Sequence, residues 1–427
     1  MKNYMLILAV AAASALTACS DNDDTIEYLP AGVTIELPSD AQGYNLTDEK
    51  LTFTNVSTGA VSTFGSTGDV NVIPGIYDIT YEAKAVTPEG ATLTFRGRVA
   101  SVNITAAGQS ISIPVIALAD TDDLIISEVF YTKTLNTSGK TYNADGYIKL
   151  YNNTDHVIYA DGLTLFESAF ATTQKFEYTP NIMNEAMTVW ALYTVPGNGT
   201  EYPVQPGEYF LIADNGIDHR TANPNSFDLS HADVEWYDES SVPSVQDIDS
   251  PVPNMDKWYC YTASIWLMNA QSNRAWGIAR IPMTKEQYLD GGEYWYTYEW
   301  DQVLASGTYH RSGQNYKILN SWIVDVVNSS SESDFKWIVT SPALDMGWAW
   351  VGSSSTDKSV YFKSIRRKLL SVDANGKPIF KDTNNSSADF NCAVTPSEIE
   401  LQGTAIDAEG TKFSGRPTYD GVVTIDE

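Results

Sequence analysis

Residues 124–131 read Leu-Ile-Ile-Ser-Glu-Val-Phe-Tyr, and residues 147–154 read Tyr-Ile-Lys-Leu-Tyr-Asn-Asn-Thr. Both stretches are rich in β-branched and aromatic residues, which favour β-strands. The first begins directly after the acidic sequence 120–123, which we interpret as a linker. These two predicted strands decide the fold of the larger part of the chain, because other segments can be matched around them in a fixed order.

The two stretches resemble strands of lamin-tail domains, which are immunoglobulin-like β-sandwiches, and Lys149 stands where that family usually has glutamate. Further segments match the family in its own order: 157–163, 206–213, 364–368, 382–390 and 395–396. The resemblance implies a lamin-tail-like β-sandwich over residues 124–398. Because such a domain is much shorter than this span, we predict a large aromatic-rich insertion at about 214–360, and a C-terminal segment at 399–427.

A smaller β domain is predicted before the linker. Pro74-Gly75 forms a turn signal, and short alternating stretches predict strands at 33–37, 51–56, 76–81, 93–97, 98–104 and 110–115. The Pro-Gly-x-Tyr turn resembles immunoglobulin-like and transthyretin-like modules near the N-terminus of surface lipoproteins, which usually act as spacers. We therefore predict a β-sandwich spacer domain over residues 30–119.

The N-terminus predicts export. Lys2 precedes an apolar run at 4–15, which is too short to cross a bilayer because a spanning helix takes about 20 residues. Leu16-Thr17-Ala18-Cys19 follows and resembles the lipobox of bacterial lipoproteins. We predict a signal peptide at 1–18 and a lipid on Cys19; an ordinary signal peptide followed by a chance cysteine is the alternative.

The acidic sequence Ser20-Asp21-Asn22-Asp23-Asp24 is similar to the signal that sends lipoproteins of the Bacteroidota to the outer face of the outer membrane. A solvated tether would have the same composition. We interpret 19–29 as a lipid-anchored acidic tether and expect an outer-membrane, surface-exposed protein. The whole arrangement resembles an uncharacterised family of Bacteroidota surface lipoproteins, which implies no defined activity.

The overall composition excludes some partners. The 54 acidic residues outnumber the 26 basic ones and give a formal net charge of −28. Phosphate backbones would repel such a chain, so we expect no nucleic-acid partner. The hydrophobic fraction of 43% predicts a folded protein.

The predicted insertion is the most promising binding region, because loops on a rigid sandwich often carry binding. Ten of the eleven tryptophans lie between 236 and 350, and such rings suit sugars, planar ligands and protein partners. We expect most of them to be core, since the stretch 293–300 also reads as a strand with one buried face. Our candidate ligand-binding residues are Trp258, Trp266, Trp295, Trp300, Trp348 and Trp350.

One short helix is predicted within the insertion. Thr284 would cap residues 285–289, and Asp290-Gly291-Gly292 would end the helix.

The sequence carries no persuasive catalytic or metal-binding motif. Acidic pairs such as Asp238/Glu239 and Asp325/Asp345 are expected by chance in so acidic a chain. The segments 214–219, 373–376 and 382–384 could hold a structural calcium ion, but Asx-turns explain them more simply. After Cys19, only Cys260 and Cys392 remain, and they either form a disulfide or stay as free thiols.

Three functions stay open. We favour a non-enzymatic binding lipoprotein, an accessory to nutrient uptake by a TonB-dependent outer-membrane transporter, with a glycan, peptide or metal chelate as ligand. A surface hydrolase, either a glycosidase or a nuclease, would need acids, or an acid and a histidine, converging in a cleft. An adhesive or structural surface protein would show flat exposed patches instead.

Overall fold

The computed structural model describes residues 28–37, 43–86, 92–119, 123–270, 273–403 and 405–425. The predicted signal peptide, Cys19 and all but the last two residues of the predicted tether lie outside this part of the chain. The described chain is mostly β-structure, as predicted, with short helices α1 (Lys285–Asp290), α2 (Ser386–Asp389) and α3 (Ser397–Gln402). None of its helices is long and apolar enough to cross a membrane.

The N-terminal β domain consists of β1 (Leu29–Glu36), β2 (Thr47–Asn55), β3 (Val61–Phe64), β4 (Gly68–Val72), β5 (Gly75–Val86), β6 (Thr92–Ile104) and β7 (Gln109–Ala119). The strands are bonded in the order β3-β2-β5-β6-β7-β1-β4. The first half of β7 pairs in parallel with β1, and its second half pairs antiparallel with β6. The two strands predicted at 93–97 and 98–104 are one continuous strand, β6. Alternation buries Phe53 and Tyr77, whose rings meet edge to face.

The described residues of the second β region form these strands: β8 (Ile125–Phe130), β9 (Thr134–Leu135), β10 (Thr141–Tyr142), β11 (Tyr147–Tyr151), β12 (Ile158–Tyr159), β13 (Leu163–Ser168), β14 (Ala186–Thr194), β15 (Pro203–Val204), β16 (Tyr209–Ala213), β17 (Val234–Glu235), β18 (Asp256–Cys260), β19 (Ala275–Arg280), β20 (Trp295–Leu304), β21 (Gly307–Leu319), β22 (Ile323–Ser330), β23 (Ala349–Trp350), β24 (Ser364–Arg367), β25 (Leu369–Val372), β26 (Pro378–Phe380) and β27 (Phe390–Val394). A six-stranded sheet has the order β17-β16-β11-β8-β24-β27. An eight-stranded sheet has the order β20-β21-β14-β13-β19-β22-β23, with β18 also paired to β14.

The two large sheets share one hydrophobic core, which makes the region β-sandwich-like. Ile126 and Ile148 enter this core from the six-stranded sheet, and Leu165 and Trp276 enter it from the eight-stranded sheet. The indole of Trp276 stacks on the ring of Tyr131 with centroids 4.6 Å apart. Both stretches that we took as decisive, 124–131 and 147–154, contain central strands of the smaller sheet. The closer relationship to lamin-tail domains stays a prediction.

The predicted insertion is built into the sandwich instead of extending from it as a loop region. Six of the eight strands in the larger sheet, β18 to β23, come from residues 214–360. They belong to the sheet because β19 pairs with β13 and β21 pairs with β14 along several residues. The predicted helix is also present: Thr284 caps α1, and the side chain of Gln287 returns the hydrogen bond in a capping box.

The outer face of the six-stranded sheet carries buried charges beneath α3. The ammonium group of Lys149 lies 2.5 Å from Glu398, and the guanidinium of Arg366 lies 2.8 Å from Glu400. All four side chains are almost completely buried. The position at which Lys149 departs from the lamin-tail pattern is therefore matched by a buried carboxylate of α3.

The N-terminal domain packs against the sandwich. Ile116 of β7 lies in one apolar cluster with Phe166 and Met187 of the eight-stranded sheet. In addition, Arg98 of β6 donates a hydrogen bond to the carbonyl oxygen of Met346, at 3.1 Å. An apolar contact and a polar contact thus join the two domains.

Candidate functional site

The six candidate tryptophans do not form one site. Trp266 is completely buried in the sandwich core, and its indole N–H donates to Glu167, so its ring belongs to the core of this structure. Trp258 is half-buried against the ring of Tyr288. Trp295 is 39% exposed, and its ring meets Tyr316 edge to face.

Two further candidates lie in the segment 331–357. Trp348 stacks on Phe335, with ring centroids 4.5 Å apart and planes 9° apart. The backbone N–H of Trp350 faces the sulfur of Cys392 at 3.4 Å. These two rings are half-buried. Neither of them lines the cavities next to Trp300.

Trp300 belongs to an aromatic cluster between strand β20 and the β13–β14 loop (residues 169–185). In that loop Phe170 and Tyr178 stack with centroids 3.9 Å apart, and Tyr178 lies 5.7 Å from Trp300. Phe176 lies 6.0 Å from both Trp300 and Tyr178. Trp337 completes the cluster, 6.2 Å from Phe170. These five rings are all half-buried, so together they form a continuous aromatic surface that solvent reaches.

The loop is held in place by hydrogen bonds to two parts of the sandwich. The indole N–H of Trp337 donates to the carbonyl oxygens of Ala171 and Gln174, both at 2.9 Å. At the other end of the loop, Thr179 and Glu299 of β20 exchange two backbone hydrogen bonds, of 2.9 and 3.0 Å. The rings of the loop are therefore positioned by backbone bonds as well as by packing.

An inner chamber of about 260 Å³ lies between the loop and the segment 337–339. Its walls are mostly apolar, and they include Met183, Met187, Tyr296 and Val339. Ligand pockets for whole small molecules usually measure about 300–1,000 Å³. The chamber alone is therefore the size of a ligand part, such as a ring or a bulky side chain.

An outer groove of about 820 Å³ lies on the other side of residues 175–177, which line both spaces. Phe176 and Trp300 give it two aromatic walls. Its polar lining consists of Lys175, Glu177, Thr179, Glu299, Asp301 and His310. We refer to the chamber and the groove together as the aromatic cleft.

The alternation of β20 explains why Tyr296, Tyr298 and Trp300 face the loop. Tyr296 and Tyr298 are buried and Trp300 is half-buried, whereas the odd-numbered residues between them are exposed. Gly313 lies directly opposite Tyr298 on β21, where a Cβ atom would come within 2.6 Å of the Tyr298 ring. The absence of a side chain at Gly313 therefore leaves room for the ring, whose hydroxyl donates to Asn315 at 2.7 Å.

The groove contains a histidine between two carboxylates. Nδ1 of His310 lies 3.0 Å from Asp301, and Nε2 lies 3.4 Å from Glu299. The hydrogen bond with Asp301 raises the pKa of His310. Both ring nitrogens of His310 therefore face carboxylates, and the imidazole bridges Asp301 and Glu299. It is not placed to take a proton from a hydroxyl nucleophile.

Three of the four acids in the two acidic pairs have structural roles, and the fourth, Glu239, is exposed. Asp325 pairs with Arg367 at 2.5 Å, and Asp345 accepts hydrogen bonds from Asn328 and Ser386. Asp238 is buried and lies 2.6 Å from the ammonium group of Lys257. None of these carboxylates lines the aromatic cleft.

The segments considered as calcium sites also make ion pairs or hydrogen bonds within the protein. Asp214 is ion-paired with Lys133 at 2.9 Å, and Asp373 accepts two backbone N–H bonds in the turn between β25 and β26. Within the described ranges, no three or more His, Cys, Asp or Glu side chains are grouped so that they could hold a metal ion. Cys260 and Cys392 are free thiols.

Sequence reasoning found one residue of the cleft, Trp300, among its six candidates. It missed Phe176 and Tyr178, because the β13–β14 loop lies outside the predicted insertion. The alternation Phe176-Glu177-Tyr178 was the available signal, since it places two rings on one side of an extended segment. Trp337 lies within the predicted insertion but is not among the six candidates.

Comparisons with known proteins agree with an uncharacterised family. Residues 205–397 match the model of a family described as "Protein of unknown function (DUF4876)". The chain is also similar to the crystal structure, at 2.50 Å resolution, of a DUF4876 family protein from Bacteroides thetaiotaomicron VPI-5482. The two share 24% sequence identity with a TM-score of 0.53, over 86% of this chain and 96% of that chain, which shows a common fold. No curated protein matches the chain.

Proposed function

We propose that this protein is a lipid-anchored, non-enzymatic ligand-binding protein of the bacterial outer surface, an accessory to nutrient uptake through the outer membrane. The aromatic cleft is the observation that carries the proposal. It combines an apolar chamber with a polar groove, as ligand-binding sites commonly do. Aromatic faces with few rotatable bonds give contact area at a low cost in conformational entropy.

The polar groups of the groove support binding rather than catalysis. A glycosidase needs one carboxyl group with a raised pKa and a second one at a defined separation. In the groove, Glu299 and Asp301 are both exposed, and each contacts a ring nitrogen of His310. These groups suit hydrogen bonds to a ligand, whereas a nucleophile with an activating base is not found among the residues that line the described cleft.

The anchoring part of the proposal rests on the N-terminal sequence. Cys19 is the last residue of a lipobox-like sequence, and an acidic sequence follows it. A lipid at this position would hold the protein at the membrane. A TonB-dependent transporter in the same membrane is the partner that this arrangement would serve.

Binding is tested first on the folded protein. Soluble protein lacking residues 1–19 is applied to a glycan array and a peptide array, and every hit is titrated by calorimetry. Trp300→Ala removes a wall of the cleft, and Trp348→Ala removes a half-buried aromatic ring elsewhere as the matched control. We expect Trp300→Ala to weaken binding by about ten-fold or more, because buried aromatic anchors typically contribute 2 kcal/mol or more. Equal affinities for the two variants, or no hit on either array, would overturn the assignment.

Anchoring and partnership are tested in cells. The full chain is purified from outer membranes in mild detergent, with Cys19→Ala as the control, and co-purifying proteins are identified by mass spectrometry. We expect a stoichiometric TonB-dependent transporter and membrane release of the Cys19→Ala form. Recovery of the anchored protein without a transporter would contradict the accessory role, and membrane retention of Cys19→Ala would contradict the anchor.

A further inference from the structure

The outer edge of β20 is open along the groove. Its inner edge pairs with β21 over the whole length of the hairpin, from Trp295 to Leu304, without a shift in register. On the outer edge, Glu299 exchanges its hydrogen bonds with Thr179. Beyond Glu299, toward the hairpin tip, no residue of the described chain pairs with this edge.

The direction of the free backbone groups follows from strand geometry. The N–H and C=O of Glu299 point away from β21, because both bond to Thr179. Groups two residues apart in a strand point to the same edge. The N–H and C=O groups of Asp301 and Val303 therefore point outward as well, and both residues line the outer groove.

Such a row of free donors and acceptors is a template for an added strand. The groove leaves space for one, because the β13–β14 loop touches the edge at Thr179 and is not bonded to it at Lys175 or Glu177. Val303 is 76% exposed, so the tip of the edge is accessible. The rings of Phe176 and Trp300 lie in the same groove and offer an apolar contact for a side chain of the added strand.

Charge favours a basic occupant. Three carboxylates line the groove, those of Glu177, Glu299 and Asp301, together with the ammonium group of Lys175 and the imidazole of His310. The whole chain carries a formal net charge of −28. A basic peptide is therefore attracted both locally and over the longer range, and an acidic one is repelled.

We propose that the ligand of the aromatic cleft is an extended basic peptide that adds as a strand to the outer edge of β20 at Asp301 and Val303. Its bulky apolar side chain packs on Phe176 and Trp300. This inference rests on the proposed function and names its ligand class. Main-chain bonds to the edge provide affinity, and the aromatic walls select the side chain.

The test compares two proline variants of the hairpin. Val303→Pro removes an N–H from the groove edge, and Thr308→Pro removes the N–H of its cross-strand neighbour, which points to the opposite edge of the hairpin. Neither N–H bonds across the hairpin, and edge strands tolerate proline where the N–H faces solvent. The probes are fluorescein-labelled heptapeptides that alternate lysine with apolar residues, with every apolar residue tested at the central position.

We expect binding by peptides with a large central side chain, weakened by rising salt because the groove is acidic. Val303→Pro should reduce the affinity by about ten-fold or more, because strand addition depends on the main-chain bonds of the edge. Thr308→Pro should leave it within about two-fold, and N-methylation of the peptide at alternate residues should mimic Val303→Pro. Circular dichroism checks that both variants keep the fold.

Equal affinities of the two proline variants, or equal binding of a peptide with glutamate in place of lysine, would overturn the inference. If no peptide binds but a glycan binds in a manner that depends on Trp300, the ligand class is wrong and the proposed binding function stands. If the protein binds neither class, the proposed function fails with it.

Discussion

The buried carboxyl group of Glu167 should make the stability of the sandwich depend on pH. Glu167 is 1% exposed, and its Oε2 accepts a hydrogen bond from the indole of Trp266. Burial raises its pKa to about 7, from an ordinary value of 4.5. At about 1.36 kcal/mol for each pKa unit, the difference amounts to about 3 kcal/mol in the free energy of unfolding.

The sign follows from the two protonation equilibria. Below about pH 4.5 the carboxyl group is protonated in both the folded and the unfolded chain. As the pH rises from 4.5 to 7, the unfolded chain loses this proton while the folded protein keeps it, so the folded protein loses stability. Glu167→Gln removes the titration. We expect the stability of the variant relative to the wild type to rise by about 3 kcal/mol between pH 4 and pH 8.

The assay is urea-induced unfolding of the two proteins at several pH values across this range. The prediction concerns how the difference in unfolding free energy between the two proteins changes with pH. A destabilisation by the glutamine amide that is the same at every pH therefore does not affect it. Glu177→Gln, an exposed glutamate in the β13–β14 loop, is the matched control and should change stability by less than about 0.5 kcal/mol throughout. A constant difference between wild type and Glu167→Gln would show that the pKa of Glu167 is the same in the folded and the unfolded chain, and the reasoning would be wrong.

Three further predictions concern single contacts. Gly313→Ala places a Cβ within 2.6 Å of the Tyr298 ring, so we expect a loss of about 1–3 kcal/mol and faster amide hydrogen exchange in β20 and β21; unchanged exchange would contradict the tight fit. Lys149→Ala removes the ammonium group from buried Glu398, which keeps the hydrogen bond from Gln402 and the contact with His231, and should cost about 3–5 kcal/mol in urea unfolding; a loss below about 1 kcal/mol would show that these remaining contacts compensate for the lost ion pair. Thr284→Ala removes the cap of α1 and should cost about 1 kcal/mol, with faster exchange confined to that helix.

The sequence predicted those features that depend on neighbouring residues. Alternation identified β1, β2 and β5, and the exposed and buried faces of β20, because a strand repeats every two residues. Thr284 identified the start of α1, because a helix cap is a local hydrogen bond.

The site could be predicted only in part, because it depends on contacts between distant segments. Trp266 and Trp300 look equivalent in the sequence, yet one is covered by both sheets and the other lies at the margin of the larger sheet. Phe176 reaches Trp300 across more than a hundred residues of chain. Periodicity shows which face of a strand is apolar, but the segment that covers that face is set by tertiary packing.

The packing of Ile116 into the apolar cluster of the eight-stranded sheet has a mechanical consequence. A spacer joined only by a linker would let the sandwich turn freely about it. Here the spacer and the sandwich share apolar contacts, so a rotation between them would expose Ile116, Phe166 and Met187 to water. If the chain is anchored at Cys19 as proposed, the spacer domain therefore fixes the orientation of the aromatic cleft relative to Tyr28, the first described residue on the anchored side.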